Sequence, residues 1–217
     1  MKKIAAPAAI FFVLAILIRI LASRFSEMKN IYIVDQEFAG INYAETGFQK
    51  GEYESCTFKK CIFTGIDLSN GIFLECKFED CDLSNAVIKN ISLKDVKFKN
   101  CKLMGLRFDE CTSLLLAFSF EDCVLNYSSF YKLKIKGTTF ESCQLQDVEF
   151  VEADLSQANF HSCDLTRAIF ENSILEGADF TTSFGFSIDP EMNRIRQAKF
   201  SATGILGLLD KYDIVVE

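Results

Sequence analysis

The chain carries nine cysteines, one histidine and thirty carboxylates, the residue types from which metal sites and acid–base machinery are built. Six of the cysteines recur at a nearly fixed step: Cys61, Cys81, Cys101, Cys123, Cys143 and Cys163. Zinc needs four ligands converging in a tetrahedron, commonly supplied by C-x2-C pairs. The closest spacing here is C-x4-C, in Cys56/Cys61 and Cys76/Cys81, which suits core packing, so no metal site is assigned. His161 stands alone beside Phe160, and a triad would need a nucleophile and an orienting acid on rigid loops. No Gly-rich phosphate loop appears. The sequence therefore assigns no catalytic residue, no cofactor and no metal, and reads as non-enzymatic.

The feature that must position these residues is a period of five. From Tyr53 a large apolar residue returns at every fifth position: Phe58, Phe63, Leu68, Phe73, Phe78, and so on to Phe108. The frame then slips by two and resumes as Leu115, Phe120, Leu125, Phe130, up to Phe180. Two residues before each lies a second, mostly smaller residue, such as Cys56, Gly71, Ala86, Ser128 or Ala153. A helix turns about 100° per residue, so such a stripe would wander round it, and a simple strand would alternate with period two. A chain turning a corner every five residues fits both facts, with four corners making a square coil of twenty. Residues twenty apart then stack. Phe58, Phe78, Phe98, Phe120, Phe140, Phe160 and Phe180 form one column, and the six cysteines form another.

Segments such as ADLSQANFHSCDLTRAIF (153–170) and CKFEDCDLSNA (76–86) resemble the pentapeptide repeat family over roughly residues 50 to 180. The resemblance implies an all-β, right-handed quadrilateral β-helix, a solenoid about 31 Å long if coils lie a strand spacing apart. Residues 28–182 are expected to form it, with 31–48 as its N-terminal cap. Residues 183–217 break the five-residue frame after Pro190 and are expected to form a C-terminal cap, with a short amphipathic helix after Ser201 and a final strand at Ile214–Val216. In quinolone-resistance and microcin-immunity members a similar terminal helix pairs two copies. The resemblance thus implies a homodimer through Ile205, Leu206, Leu208 and Leu209.

Residues 1–27 form a hydrophobic N-terminal segment, expected to be helical: Lys2 and Lys3 precede an apolar run from Ile4 to Ile18. A membrane anchor through residues 4–22, a signal peptide and an upstream extension ahead of a start at Met28 remain open. The odd number of cysteines at core positions argues against export and for a cytoplasmic protein, membrane-anchored if the segment inserts.

With catalysis set aside, charge is the main functional clue. The net charge is −7, which argues against direct nucleic-acid binding through phosphates. Between Thr138 and Phe180 lie Glu141, Asp147, Glu149, Glu152, Asp154, Asp164, Glu171, Glu176 and Asp179, opposed within that stretch only by Arg167. These nine are the candidate partner-binding residues, expected to line one flank. Tail-to-tail pairing would set two such stretches at the centre of a narrow rod, a field similar to that of duplex DNA. The resemblance implies the same: quinolone-resistance members are DNA mimics that bind type II topoisomerases, DNA gyrase above all. This chain lacks the long loop insertions of the Gram-negative members, which leaves modulation of quinolone susceptibility open. The alternative is a membrane-tethered or soluble interaction scaffold for another partner.

Overall fold

The computed structural model describes residues 31–215. The expected N-terminal hydrophobic helix and membrane anchor fall outside the described residues, as does Val216. Among the described residues no helix is long and apolar enough to cross a membrane.

Every pairing is parallel and, away from one loop, steps by twenty residues, as the period of five requires. Four ladders result, one per wall of the coil, giving an all-β parallel solenoid of about 8 turns. Wall 1 is a nine-stranded sheet of β2 (Glu37–Ala39), β4 (Thr57–Lys59), β6 (Lys77–Glu79), β8 (Val96–Lys99), β9 (Phe118–Glu121), β10 (Thr139–Glu141), β11 (Asn159–His161), β12 (Asp179–Phe180) and β13 (Lys199–Phe200). Wall 2 is a run of single bridges from Asn42 through Ile62, Asp82, Lys102, Val124, Gln144 and Asp164 to Phe184. Wall 3 contains Asp67↔Val87 and the run Arg107, Ser129, Glu149, Ile169. Wall 4 begins as the sheet β1 (Ile31–Val34), β3 (Gly51–Glu54), β5 (Ile72–Leu74) and β7 (Ser92–Lys94). It resumes only at Lys134, which pairs upward with Asp154, Ile174 and Arg194. Pairing extends through Arg194 to Phe200, well beyond Phe180.

Three positions of each five-residue unit explain the corner. The central residue and the one two before it point inward: Phe58, Phe63, Cys56 and Cys61 are all buried. The residue two after the centre turns the chain in the left-handed region, as at Asn70 (φ 61°), Asn85 (φ 55°), Asn90 (φ 56°) and Gly105 (φ 68°). Asn and Gly enter that region at low steric cost, whereas most side chains oppose it. Phe rings on wall 1 stack in near-parallel pairs: Phe140 and Phe160 have centroids 4.9 Å apart and planes 2° apart, and Phe58–Phe78 and Phe160–Phe180 both lie at 4.8 Å.

The thiols belong to this scaffold. All nine cysteines are free and buried. Cys81 donates to the Phe58 carbonyl one coil below at 3.3 Å, and Cys101 and Cys163 do the same to Phe78 and Phe140. Ser173 and Asn193 fill the equivalent position and donate to the Phe150 and Phe170 carbonyls. Burial pushes the Cys76 thiol up to about 12 and raises those of Cys61 and Cys111, which keeps them protonated donors.

Three expectations need correction. Leu115 is not a core residue. It is 70% exposed and sits in the left-handed region at φ 57°, taking a corner position instead. The two-residue slip is a loop, 112–117, that bulges out after a short 3-10 turn at Phe108–Glu110. Register steps by 22 across it, with Val96 opposite Phe118 and Phe98 opposite Phe120. Phe118 fills the vacated interior, its ring 5.4 Å from Phe108 and 5.1 Å from Phe120. The C-terminal amphipathic helix is also absent. Gly204–Leu208 and Asp210–Tyr212 are 3-10 segments, and Ile214 and Val215 are exposed coil rather than strand. Close packing limits this cap: a Cβ on Gly207 would fall 2.2 Å from the Phe186 carbonyl oxygen.

Candidate functional site

The nine candidate carboxylates divide among all four walls and do not form one flank. Glu141 and Asp179 lie on wall 1, beside His161 and Lys199 respectively. Asp164 lies on wall 2, and Asp147 at the corner following Leu145. Glu149 lies on wall 3, Glu171 follows Phe170 on the same wall, and Glu152 turns the corner after it. Asp154 and Glu176 flank Leu155 and Leu175 on wall 4. A linear stretch that visits every wall once per twenty residues distributes its charge in this way. Wall 3 is where the structure brings three of them together: Glu149, Glu152 and Glu171.

Arg167 is not their only opponent. It forks onto Asp147 with two contacts of 2.6 Å. Lys132 reaches Glu152 at 3.4 Å, Lys136 reaches Asp154 at 3.2 Å, Arg194 reaches Glu176 at 2.7 Å and Lys199 reaches Asp179 at 3.3 Å. These partners stand on neighbouring coils, and four of the five lie outside the stretch whose charge suggested an unopposed field. Among the described residues Glu141, Glu149, Asp164 and Glu171 have no ion pair. Glu149 accepts from the Ser129 hydroxyl at 2.7 Å.

Several aspartates are committed to the fold as well. Asp164 accepts from the Thr166 amide at 3.0 Å and its hydroxyl at 2.6 Å. Asp82 to Ser84, Asp154 to Ser156 and Asp179 to Thr181 repeat the arrangement. An aspartate one before the central residue thus holds the amide one after it, an Asx turn that recurs in DLS, DLT and DFT segments. Burial opposes ionisation at Asp82, Asp154 and Asp164, but these hydrogen bonds outweigh it and all three carboxyls lie below the usual range. Asp67 is held at about 2 by Lys50 and by Ser69.

The cap residues are partly covered. Ile205 and Leu206 are 50% and 43% exposed, and Leu208 and Leu209 are half-buried. Phe184, Met192, Tyr212, Ile214 and Val215 add exposed apolar surface in this terminal region. Lys211 clasps Asp189 at 2.7 Å and Glu191 at 2.8 Å, fastening the 3-10 segments to the last coil. Among the described residues no group of three or more His, Cys, Asp or Glu is placed to hold a metal ion. His161 meets the Thr182 hydroxyl at 3.1 Å.

Stacked five-residue units with hydrogen-bonded outer walls define a repeat solenoid with ladders of side chains on its surface. The chain belongs to the pentapeptide repeat family: the pentapeptide repeat region profile matches residues 52–113, 71–144 and 113–180. Two trypsin-treated variants of QnrB1, a plasmid-mediated fluoroquinolone resistance protein, align over 86% of this chain and 100% of theirs, with TM-score 0.57 and 18% identity. HetL, a pentapeptide repeat protein involved in heterocyst differentiation regulation from the cyanobacterium Nostoc, aligns over 82% of this chain and 92% of its own, with TM-score 0.40 and 15% identity. Comparison with curated proteins finds no match.

Proposed function

We propose that this chain is a non-enzymatic interaction protein of the cytoplasm that presents the carboxylates of wall 3 to a type II topoisomerase, DNA gyrase, in place of DNA. The observation that carries this reading is the cluster of Glu149, Glu152 and Glu171 on one wall of a hydrogen-bonded coil. The coil below and the coil above hold these side chains at fixed steps, so a basic groove shaped for phosphates meets a similarly rigid array. On this wall Glu149 and Glu171 have no ion pair among the described residues, while Glu152 is shared with Lys132. Likeness in fold to QnrB1, a plasmid-mediated fluoroquinolone resistance protein, is the reason a quinolone enters the test below.

The C-terminal residues Ile205, Leu206, Leu208 and Leu209 pair two copies in this reading, with Phe184 and Tyr212 adding to the same apolar surface. Pairing sets two wall-3 clusters on one assembly. In this reading the N-terminal segment (1–27) serves location, the coil, whose pairing continues to Phe200, serves recognition, and the 3-10 segments that follow serve pairing.

Gyrase supercoiling measured with increasing protein, with and without a quinolone, tests the proposal. Inhibition at micromolar protein is expected, relieved by the charge reversals Glu149→Lys, Glu152→Lys and Glu171→Lys together. Full supercoiling at every protein concentration would remove the topoisomerase and leave an interaction scaffold for a different partner.

A further inference from the structure

Wall 4 is interrupted. Its sheet ends at β7, and its bridges restart only at Lys134, because loop 112–117 bulges out where a strand should lie. The ends of the loop stay tied to β7, the Thr112 and Ala117 amides donating to the Ile91 and Leu93 carbonyls, but one amide is left open on each side. In the coils above, the amides of Asp154, Ile174 and Arg194 donate to the carbonyls of Leu133, Ala153 and Ser173, whereas the equivalent Lys134 N–H has no acceptor among the described residues. In the coils below, the amides of Ser55 and Glu75 donate to Leu74 and Lys94, whereas the equivalent Asp95 N–H has none. A groove of about 370 Å³ lies here, lined by Leu116, Ala117, Phe118, Ile135 and Thr138 with Lys134 and Lys136 at its rim. Beside it Leu114 and Leu115 are 69% and 70% exposed, the latter held in a backbone region unfavourable to leucine.

We propose that this gap is a docking site for an extended, acidic segment of a partner protein whose side chains alternate between carboxylate and apolar. An extended chain offers carbonyls to the open amides, as in strand addition to a sheet edge. Its alternating side chains face opposite ways, so one set meets Leu114 and Leu116 while the other meets ammonium groups. Charge favours an acidic occupant. Lys94, Lys97 and Lys134 have no ion pair among the described residues, Asp154 is already held by Lys136, and Asp95 shares a groove with Glu75, Lys77 and Lys97. The proposal is independent of the topoisomerase reading, since it uses wall 4 rather than the wall-3 glutamates.

The test uses the full-length protein and a fluorescein-labelled peptide alternating Asp with Leu, followed by fluorescence anisotropy, with a Lys–Leu peptide of equal length as control. Saturable binding of the acidic peptide alone is expected. Leu114→Ser with Leu115→Ser, or Lys134→Glu, should weaken it about tenfold or more while leaving the melting temperature near that of the parent, because these side chains are exposed. Amide exchange should slow at Lys134 and Asp95 on binding. No binding, equal binding of the Lys–Leu peptide, unchanged affinity in the variants, or protection confined to other walls would each overturn the proposal. So would adsorption of the loop to phosphatidylserine vesicles without peptide binding.

Discussion

At the residue scale, each unit depends on an inward ring, an inward donor and a left-handed corner. Phe140 stacks between Phe120 and Phe160 at 5.2 and 4.9 Å and is fully buried, so Phe140→Ala should lower stability by about 3–5 kcal/mol, measured by urea denaturation. Cys163 donates to the Phe140 carbonyl, and the Ser183 hydroxyl makes the same contact to Phe160. Cys163→Ser should therefore stay within about 1 kcal/mol of the parent, whereas Cys163→Val loses the donor and should fall further. An aromatic disulfide reagent should label none of the nine buried cysteines in the native protein and all of them after denaturation. Labelling of the native protein would contradict the buried ladder. These columns were legible in the sequence, because a type repeated every twenty residues has only one reading in a closed coil. The corner geometry was equally present, as Asn70, Asn85, Asn90 and Gly105 at the same position, but it carries no hydrophobic signal.

At the scale of elements, the Asx turns link the coil to pH. The carboxyls of Asp67, Asp82, Asp154, Asp164 and Asp179 lie below their unfolded value of about 3.9, so the stability they contribute is present above about pH 4 and is lost as pH falls through their folded values. Melting temperature should hold steady from neutrality to about pH 5 and fall below about pH 4, and Asp164→Asn should flatten part of that fall by keeping an acceptor that does not titrate. A melting temperature that rises on acidification would contradict this assignment. Loop 112–117 was legible only as a two-residue shift. Leu115 satisfied the apolar pattern, and nothing in the sequence shows that Phe118 turns inward in its place. Because Leu115 occupies a left-handed corner, Leu115→Asn should raise stability by about 0.5–1 kcal/mol, measured by the same denaturation. The C-terminal cap misled for a different reason. Its Leu and Ile spacing fits one face of a helix, but Gly204 and Gly207 press against Phe186 and the backbone tightens into 3-10 turns.

At the scale of the coil stack and its partners, charge follows the winding of the chain. A run that is acidic in sequence is dispersed over four walls, and basic residues 18 or 20 positions away come to lie beside it, as Arg194 does with Glu176 and Lys199 with Asp179. Net charge was legible in the sequence, but its arrangement required the register. If the cap pairs two copies, Gly207→Ala should push the 3-10 segment off Phe186 and yield monomers by sedimentation while the coil keeps its circular dichroism. A protein that is monomeric before the substitution would contradict the pairing.

Imitation of DNA requires that the protein and linear duplex DNA exclude one another from DNA gyrase. Protein bound to gyrase on a biosensor surface should be displaced by added duplex in proportion to occupancy, and the triple reversal of Glu149, Glu152 and Glu171 should abolish the initial binding. Simultaneous binding of protein and duplex, or undiminished binding of the reversed variant, would contradict it.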